Sequence, residues 1–214
     1  MASLVPRYLS PAPSQQRRVA VAVVAMLAAS GIAIVAAPSL MPESYSWVRQ
    51  VVSDTASQGT DGAWLTRVAF VLSGASVVLL ATVAGAAWGT WGRAAHAFYG
   101  ALVLSLAVFS RRAWTGGSFD AFEDLVHSGV AIVAGAIFTV GVLLVAVRRR
   151  QQPGMTRFTD WTTICVMLVF PLVMLTALEV AGFAQRVMVA FGLLWYVTEA
   201  IALARFNRPE SRSG

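Results

Sequence analysis

The chain has 214 residues, 57% of them hydrophobic and 12% charged, with a net charge of +6. Charged residues make up about a quarter of an ordinary soluble protein. A water-soluble domain of this length is therefore excluded, and the natural solvent for so much apolar surface is lipid.

All 16 basic residues are arginine, a usage typical of GC-rich bacterial genes. They fall in short clusters between apolar segments, the pattern of membrane topology and not of a nucleic-acid stripe. Nucleic acid is excluded as a partner on that ground. The single cysteine, Cys165, rules out an internal disulfide. With only two histidines beside it, the chain alone has few soft ligands for haem or zinc. No cofactor is assigned.

A bilayer core of about 30 Å needs about 20 apolar residues per helix. Six stretches qualify, and they predict an all-α polytopic membrane protein, a six-transmembrane-helix bundle with a long first extracytoplasmic loop. The organisation is a tail over 1–18, a membrane domain over 19–204 and a tail over 205–214. Both tails are rich in Pro, Ser, Gln or Arg, and this composition predicts disorder.

Span one is 19–38, "VAVAVVAMLAASGIAIVAAP". Its apolar run exceeds the roughly 7–15 residues of a signal core, so it is read as a retained span. The loop over 39–63 follows, and its "VVSD" (51–54) predicts a short interfacial helix or turn folded back over the bundle. Span two runs from Trp64 to Trp88, and "GTWGR" links it to span three (94–110), which forces an antiparallel hairpin. Gly85 and Gly89 make a GxxxG spacing at the end of span two. Span four is 122–147, span five 160–181 and span six 184–204. Trp47, Trp64, Trp88, Trp91, Trp114 and Trp161 lie near span ends, as an interfacial aromatic belt would.

With the N-terminus inside, eleven arginines are cytoplasmic: Arg7, Arg17, Arg18, Arg93, Arg148, Arg149, Arg150, Arg157, Arg205, Arg208 and Arg212. Five are outside: Arg49, Arg67, Arg111, Arg112 and Arg186. The bias predicts a bacterial inner-membrane protein with both termini cytoplasmic. Seven of the ten acids map to the outer side, so the polar chemistry concentrates there.

The candidate site is "SFDAFEDLVHSGVAIVAG" (118–135) together with the first loop. On a helix, Asp120, Glu123, Asp124 and His127 fall within an arc of about 100°. Three carboxylates on one face repel unless a metal ion, an arginine or protons neutralise them. A metal at Asp120, Asp124 and His127 is the least favoured of these. Helix capping by Asp120 and Glu123 with arginine pairing is the plainest. His127 lies too deep for capping to explain, and an ionisable residue inside a membrane span is a functional candidate. Ser53, Asp54 and Arg186 join this outer group. Secondary candidates are Arg67, which can reach the cluster, a Glu179–Arg186 ion pair, and a His96–Glu199 hydrogen bond on the inner side.

The outer motifs resemble those of the uncharacterised bacterial and archaeal membrane family catalogued as domain of unknown function 998. The similar features are Ser53–Asp54 in the first outer loop, the Gly-bearing "RVAFVLSGASVVLLA", Asp124-x-x-His127, and Gly182-x-x-Gln185-Arg186 before span six. The resemblance covers about 19–204 and carries no activity. It implies that Ser53, Asp54, Asp124, His127 and Arg186 belong together. Seven-span zinc hydrolases, which need three histidines, do not fit a chain with two.

Three functions stand open. A lipid or small-molecule site at the outer face, binding or processing its ligand, uses Ser53, Asp124 and His127. A non-catalytic accessory subunit, or a homo-oligomer, uses the Gly- and Ala-rich helix faces for packing. A small transporter uses His96, Glu199, Glu179, Asp124 and His127 as a path, although no inverted repeat is visible.

Overall fold

The computed structural model describes residues 13–151 and 154–206. Most of the two tails, with Arg7, Arg208, Glu210 and Arg212 and the disorder expected there, lies outside the described residues. Six long helices carry the fold: α1 (Pro13–Ala36), α2 (Ala63–Val83), α3 (Gly85–Leu106), α4 (Ala121–Arg148), α5 (Met155–Thr176) and α6 (Ala181–Phe206). No strand occurs among the described residues. Among the described residues five helices are long and apolar enough to cross a membrane, and α3 is not one of them. The chain is a polytopic helical membrane bundle.

The helices run alternately up and down. Each packs against its neighbours in sequence, and α1 packs against α6. The result is a closed ring of six helices. The loops 41–62 and 107–120 and the short 3₁₀ turn Leu178–Val180 cluster at one end, the loop end. The turn at Ala84 and the residues flanking the α4–α5 connection, Arg149–Gln151 and Gly154, lie at the other, the arginine end. Apolar side chains such as Ile32, Val35, Ile132 and Leu175 point outward and stay exposed, as they would toward lipid.

Small residues set the close approaches. At the α2–α3 crossing, a Cβ on Gly74 would lie 2.7 Å from the Gly100 carbonyl oxygen. That contact lets two backbones meet where a side chain would separate them. Ser30 on α1 ties the same region together by donating to the Ala69 carbonyl at 2.9 Å.

The hairpin between α2 and α3 corrects the sequence reading. Helix α2 stops at Val83, and the chain turns at Ala84–Gly85. Gly85 and Gly89 both have positive φ, and Gly89 (φ 65°, ψ 177°) breaks the start of α3. They form a turn, not a GxxxG face, because that backbone region favours a residue without a Cβ. The turn carries Trp88 inward to 1% exposure, so Trp88 is a core residue and not part of an aromatic belt.

Candidate functional site

The loop end is assembled from backbone outward. Val52–Ala56 forms a buried 3₁₀ turn between α1 and α2, the reentrant element expected from "VVSD". Asp54 Oδ2 accepts from the Val51 amide at 2.8 Å, and Asp54 Oδ1 lies 3.2 Å from Arg111 Nη1. Burial pushes the Asp54 carboxyl above its ordinary value, and the charge of Arg111 and the Val51 amide hold it back only in part. Thr55 Oγ1 and Thr66 Oγ1 share a 2.6 Å hydrogen bond that pins the turn onto α2.

Arg186 anchors the rest of the first loop. Its Nη1 donates to the carbonyls of Trp47, Gln50 and Gly182, and its Nη2 to the Tyr45 hydroxyl at 2.7 Å. The amides of Gly182 and Phe183 donate to the carbonyls of Arg49 and Val48. A Cβ at Gly182 would collide with the Gln50 carbonyl, so glycine permits this contact. The expected Glu179–Arg186 pair does not form. Glu179 is exposed at the turn before α6, and Arg186 Nη1 and Nη2 are engaged by three carbonyls and the Tyr45 hydroxyl.

The carboxylates of 118–135 serve backbone amides. Asp120 caps α4 by accepting from the Glu123 amide at 3.0 Å. Glu123 Oε1 accepts from the Ser110 amide at 3.0 Å, and Asp124 Oδ1 from the Arg112 amide at 2.8 Å. Gln58 bridges the two loops by donating to the carbonyls of Ser110 and Asp120 and accepting from the Asp120 amide. Arg67 reaches the same region, where its Nη2 donates to Ser110 Oγ at 2.7 Å. These acids thus hold the 107–120 loop against α4, with the helix dipole supporting their charge. No group of histidine, cysteine and acidic residues arranged to hold a metal occurs among the described residues.

His127 behaves differently from these acids. It is 3% exposed, and its Nδ1 bonds the Phe109 carbonyl at 2.8 Å. A carbonyl only accepts, so Nδ1 carries a hydrogen, and in the neutral ring Nε2 is an acceptor. Among the described residues Nε2 has no partner, and His127 lines a cavity of about 180 Å³ at the centre of the ring. All six helices and the 3₁₀ turn contribute to that cavity, among them Ile34, Phe70, Val103, Phe138, Met167 and Leu193. The lining is mostly apolar. Ser53, Ser73, Gln185 and Tyr99 also line it, the Ser73 hydroxyl being engaged by donating to the Ala69 carbonyl. Gln185 Oε1 is taken by the Val52 amide, which leaves its amide nitrogen for the cavity. Neither Ser53 Oγ nor the Tyr99 hydroxyl makes a hydrogen bond among the described residues.

The structure therefore splits the predicted outer group. Ser53 and His127 meet at the cavity. Asp54 and Arg186 lie behind it and hold its lid, while Asp120 and Asp124 hold the neighbouring loop. Gln185 and Tyr99 were missed as site residues. Their only signal was polarity inside an apolar span, and for Gln185 its place beside Arg186.

The arginine end holds a second polar group, fully enclosed. Arg149 Nε donates to Asp160 Oδ2 at 2.7 Å, and its Nη2 to Glu199 Oε1 at 2.7 Å. Trp88 Nε1 donates to Glu199 Oε2 at 2.7 Å, and Trp195 Nε1 to Asp160 Oδ1 at 2.8 Å. Burial works against the Arg149 charge, but the two carboxylates outweigh it and the guanidinium pKa is raised. His96 does not bond Glu199, as the sequence suggested. Its Nδ1 shares a 2.8 Å bond with the Tyr196 hydroxyl, and its ring stacks on Trp195 at 4.7 Å.

Comparison with known families places the chain. Residues 19–202 match the family described as Protein of unknown function (DUF998). The chain belongs to that family and is a multi-pass membrane protein. No curated protein and no solved structure matches it.

Proposed function

We propose that this protein binds an amphipathic lipid or small molecule in the central cavity, with the ligand's polar group at the loop end. One observation carries the reading. An apolar chamber lined by all six helices presents a buried histidine whose tautomer is set by Phe109 and whose Nε2 has no partner among the described residues. A few convergent polar groups in an apolar pocket are the usual make-up of a ligand site. A ligand donor placed in the cavity would complete the hydrogen bonding of the His127 ring.

Binding is favoured over processing. Ser53 and His127 share the cavity, but no hydrogen bond joins them among the described residues, and a nucleophile needs its base within about 3.2 Å. The transporter reading loses support because Glu199, one of its carriers, is locked by Arg149 and Trp88. In the cell the site would face outward from a bacterial inner membrane, with both termini cytoplasmic. The eleven-to-five arginine bias supports this, and reporter fusions at the C-terminus test it.

The test of binding is native mass spectrometry on gently extracted protein. Wild type should carry a small-molecule or lipid adduct that a His127→Ala variant of unchanged thermal stability lacks. The mass of the bare chain in both would overturn the reading.

A further inference from the structure

Helix α5 closes only half of the ring. Its buried residues are Thr159, Asp160, Thr163 and Ile164, all toward the arginine end. Beyond Ile164 none of its residues is buried, and Leu168, Val169, Leu172 and Leu175 are exposed. Met167 is its sole contribution to the cavity lining. Of the neighbouring helices in the ring, α4 and α5 pack least closely, and on this side the cavity is lined by α4 and α6 with only Met167 of α5, which leaves a seam between α4 and α5. The α4 side of that seam is built from small residues. Ala131 and Gly135 line the cavity, and a Cβ added at Gly135 or Gly129 meets nothing within 4 Å.

The polar lining has a definite chemistry. It holds no arginine, aspartate or glutamate. His127 Nε2 accepts, the Gln185 amide nitrogen donates, and the hydroxyls of Ser53 and Tyr99 do either. A charged head buried there would lack a counter-ion and be strongly disfavoured. A hydroxyl head both donates and accepts, which matches the set. A volume of about 180 Å³ is close to the roughly 150 Å³ cavity that takes one benzene. It holds a head and a few carbons but not two acyl chains.

We infer that the cavity is loaded sideways from the bilayer through the α4–α5 seam, and that its ligand is an uncharged single-chain lipid with a hydroxyl head. The head sits among Ser53, Tyr99, His127 and Gln185, and the chain leaves past Ala131 and Gly135 into lipid. This rests on the cavity reading above.

The experiment uses the full chain in phosphatidylcholine nanodiscs and native mass spectrometry with three probes. These are a mono-oleoyl glycerol, the lysophosphatidate carrying the same chain, and benzyl alcohol, which needs no seam. The glycerol lipid should bind one per chain and exceed the lysophosphatidate by about tenfold, the equivalent of about 1.4 kcal/mol. Binding should vanish in His127→Ala and fall about tenfold in Gly135→Leu, for which the structure has room. Ser53→Ala provides a milder second head-group variant. Preference for the lysophosphatidate would overturn the uncharged-head inference. Full binding in Gly135→Leu would overturn the seam. Benzyl alcohol bound in a His127-dependent way without the glycerol lipid would keep the cavity and remove this inference. Lipid bound equally by all variants would remove both.

Discussion

The two ends of the bundle solve the same problem differently. At the arginine end, Arg149, Asp160 and Glu199 are buried, and every charge is matched by a fork of hydrogen bonds, with Trp88 and Trp195 adding donors. At the loop end, charges such as Asp54 and Arg186 are also matched, but the neutral groups of Ser53, Tyr99, His127 and Gln185 face a cavity with polar atoms left over. Buried charge at one end is therefore a structural lock, and buried neutral polarity at the other is a binding surface. A missing partner is not enough by itself: His96 Nε2 at the arginine end is also unpaired among the described residues, but it is sealed, whereas His127 borders a cavity.

The comparison breaks most visibly at Arg149. Replacing it with methionine leaves Asp160 and Glu199 buried without a counter-charge, a loss of about 3–5 kcal/mol. Thermal unfolding in detergent should show a large fall or no folded protein. Adding Asp160→Leu and Glu199→Leu to that variant should recover much of the loss, because a buried ion triad is often replaceable by packed apolar groups. If Arg149→Met alone is as stable as wild type, the end is not a lock.

The next effect is at Gly182. A Gly182→Ala change puts a methyl against the Gln50 carbonyl and against Trp47. Backbone on both sides leaves little room to yield, and overpacking of this kind costs about 1–3 kcal/mol. Hydrogen exchange at residues 45–50 should rise in this variant and in Arg186→Ala, while the arginine end stays protected. Unchanged exchange in both would mean the first loop is held by something else.

How much of this was legible follows from what lipid does to sequence patterns. The spans were readable because each needs a run of apolar residues. The α2–α3 hairpin was not, since Gly85, Trp88 and Gly89 read as continued helix and a positive φ leaves no mark on composition. Trp88 looked like a belt residue because lipid and protein core are equally apolar, so burial has no periodic signature. Arg149 stood inside "RRR", where topology already explained it. Asp54, His127 and Arg186 stood out because a charge or imidazole beside an apolar segment needs a partner. Tyr99 is neutral and did not stand out, and Gln185 was noticed only as part of the Gly182-x-x-Gln185-Arg186 motif, without a role in the site.

Asp54 sharpens the comparison through pH. Its native pKa is raised above 3.8, chiefly by burial. The native state therefore keeps its proton to higher pH than the unfolded chain. Stability contributed by this group is greatest in acid and falls as pH rises from about that value through the native pKa. In Asp54→Asn the Val51 amide keeps an acceptor and this slope disappears. Unfolding midpoints measured across the acid range should converge on those of wild type at the acid end and exceed them above the native pKa. A variant less stable than wild type at neutral pH would reverse that ranking and make the pair the larger effect.

The smallest expected change in stability is the most telling. Ser53 Oγ makes no hydrogen bond among the described residues, so Ser53→Ala removes no contact that the fold is seen to use. Loss of an unpartnered hydroxyl that faces a cavity should change stability by no more than about 0.5 kcal/mol. The same deletion removes one of the hydroxyls facing the cavity, so ligand affinity should fall by roughly the 0.5–1.5 kcal/mol of one hydrogen bond. At the arginine end no substitution should show that pattern, because there each polar atom that touches a charge also supports the fold. A Ser53→Ala protein that unfolds early with its binding intact would put Ser53 among the structural residues, and the loop end would then resemble the lock it is contrasted with.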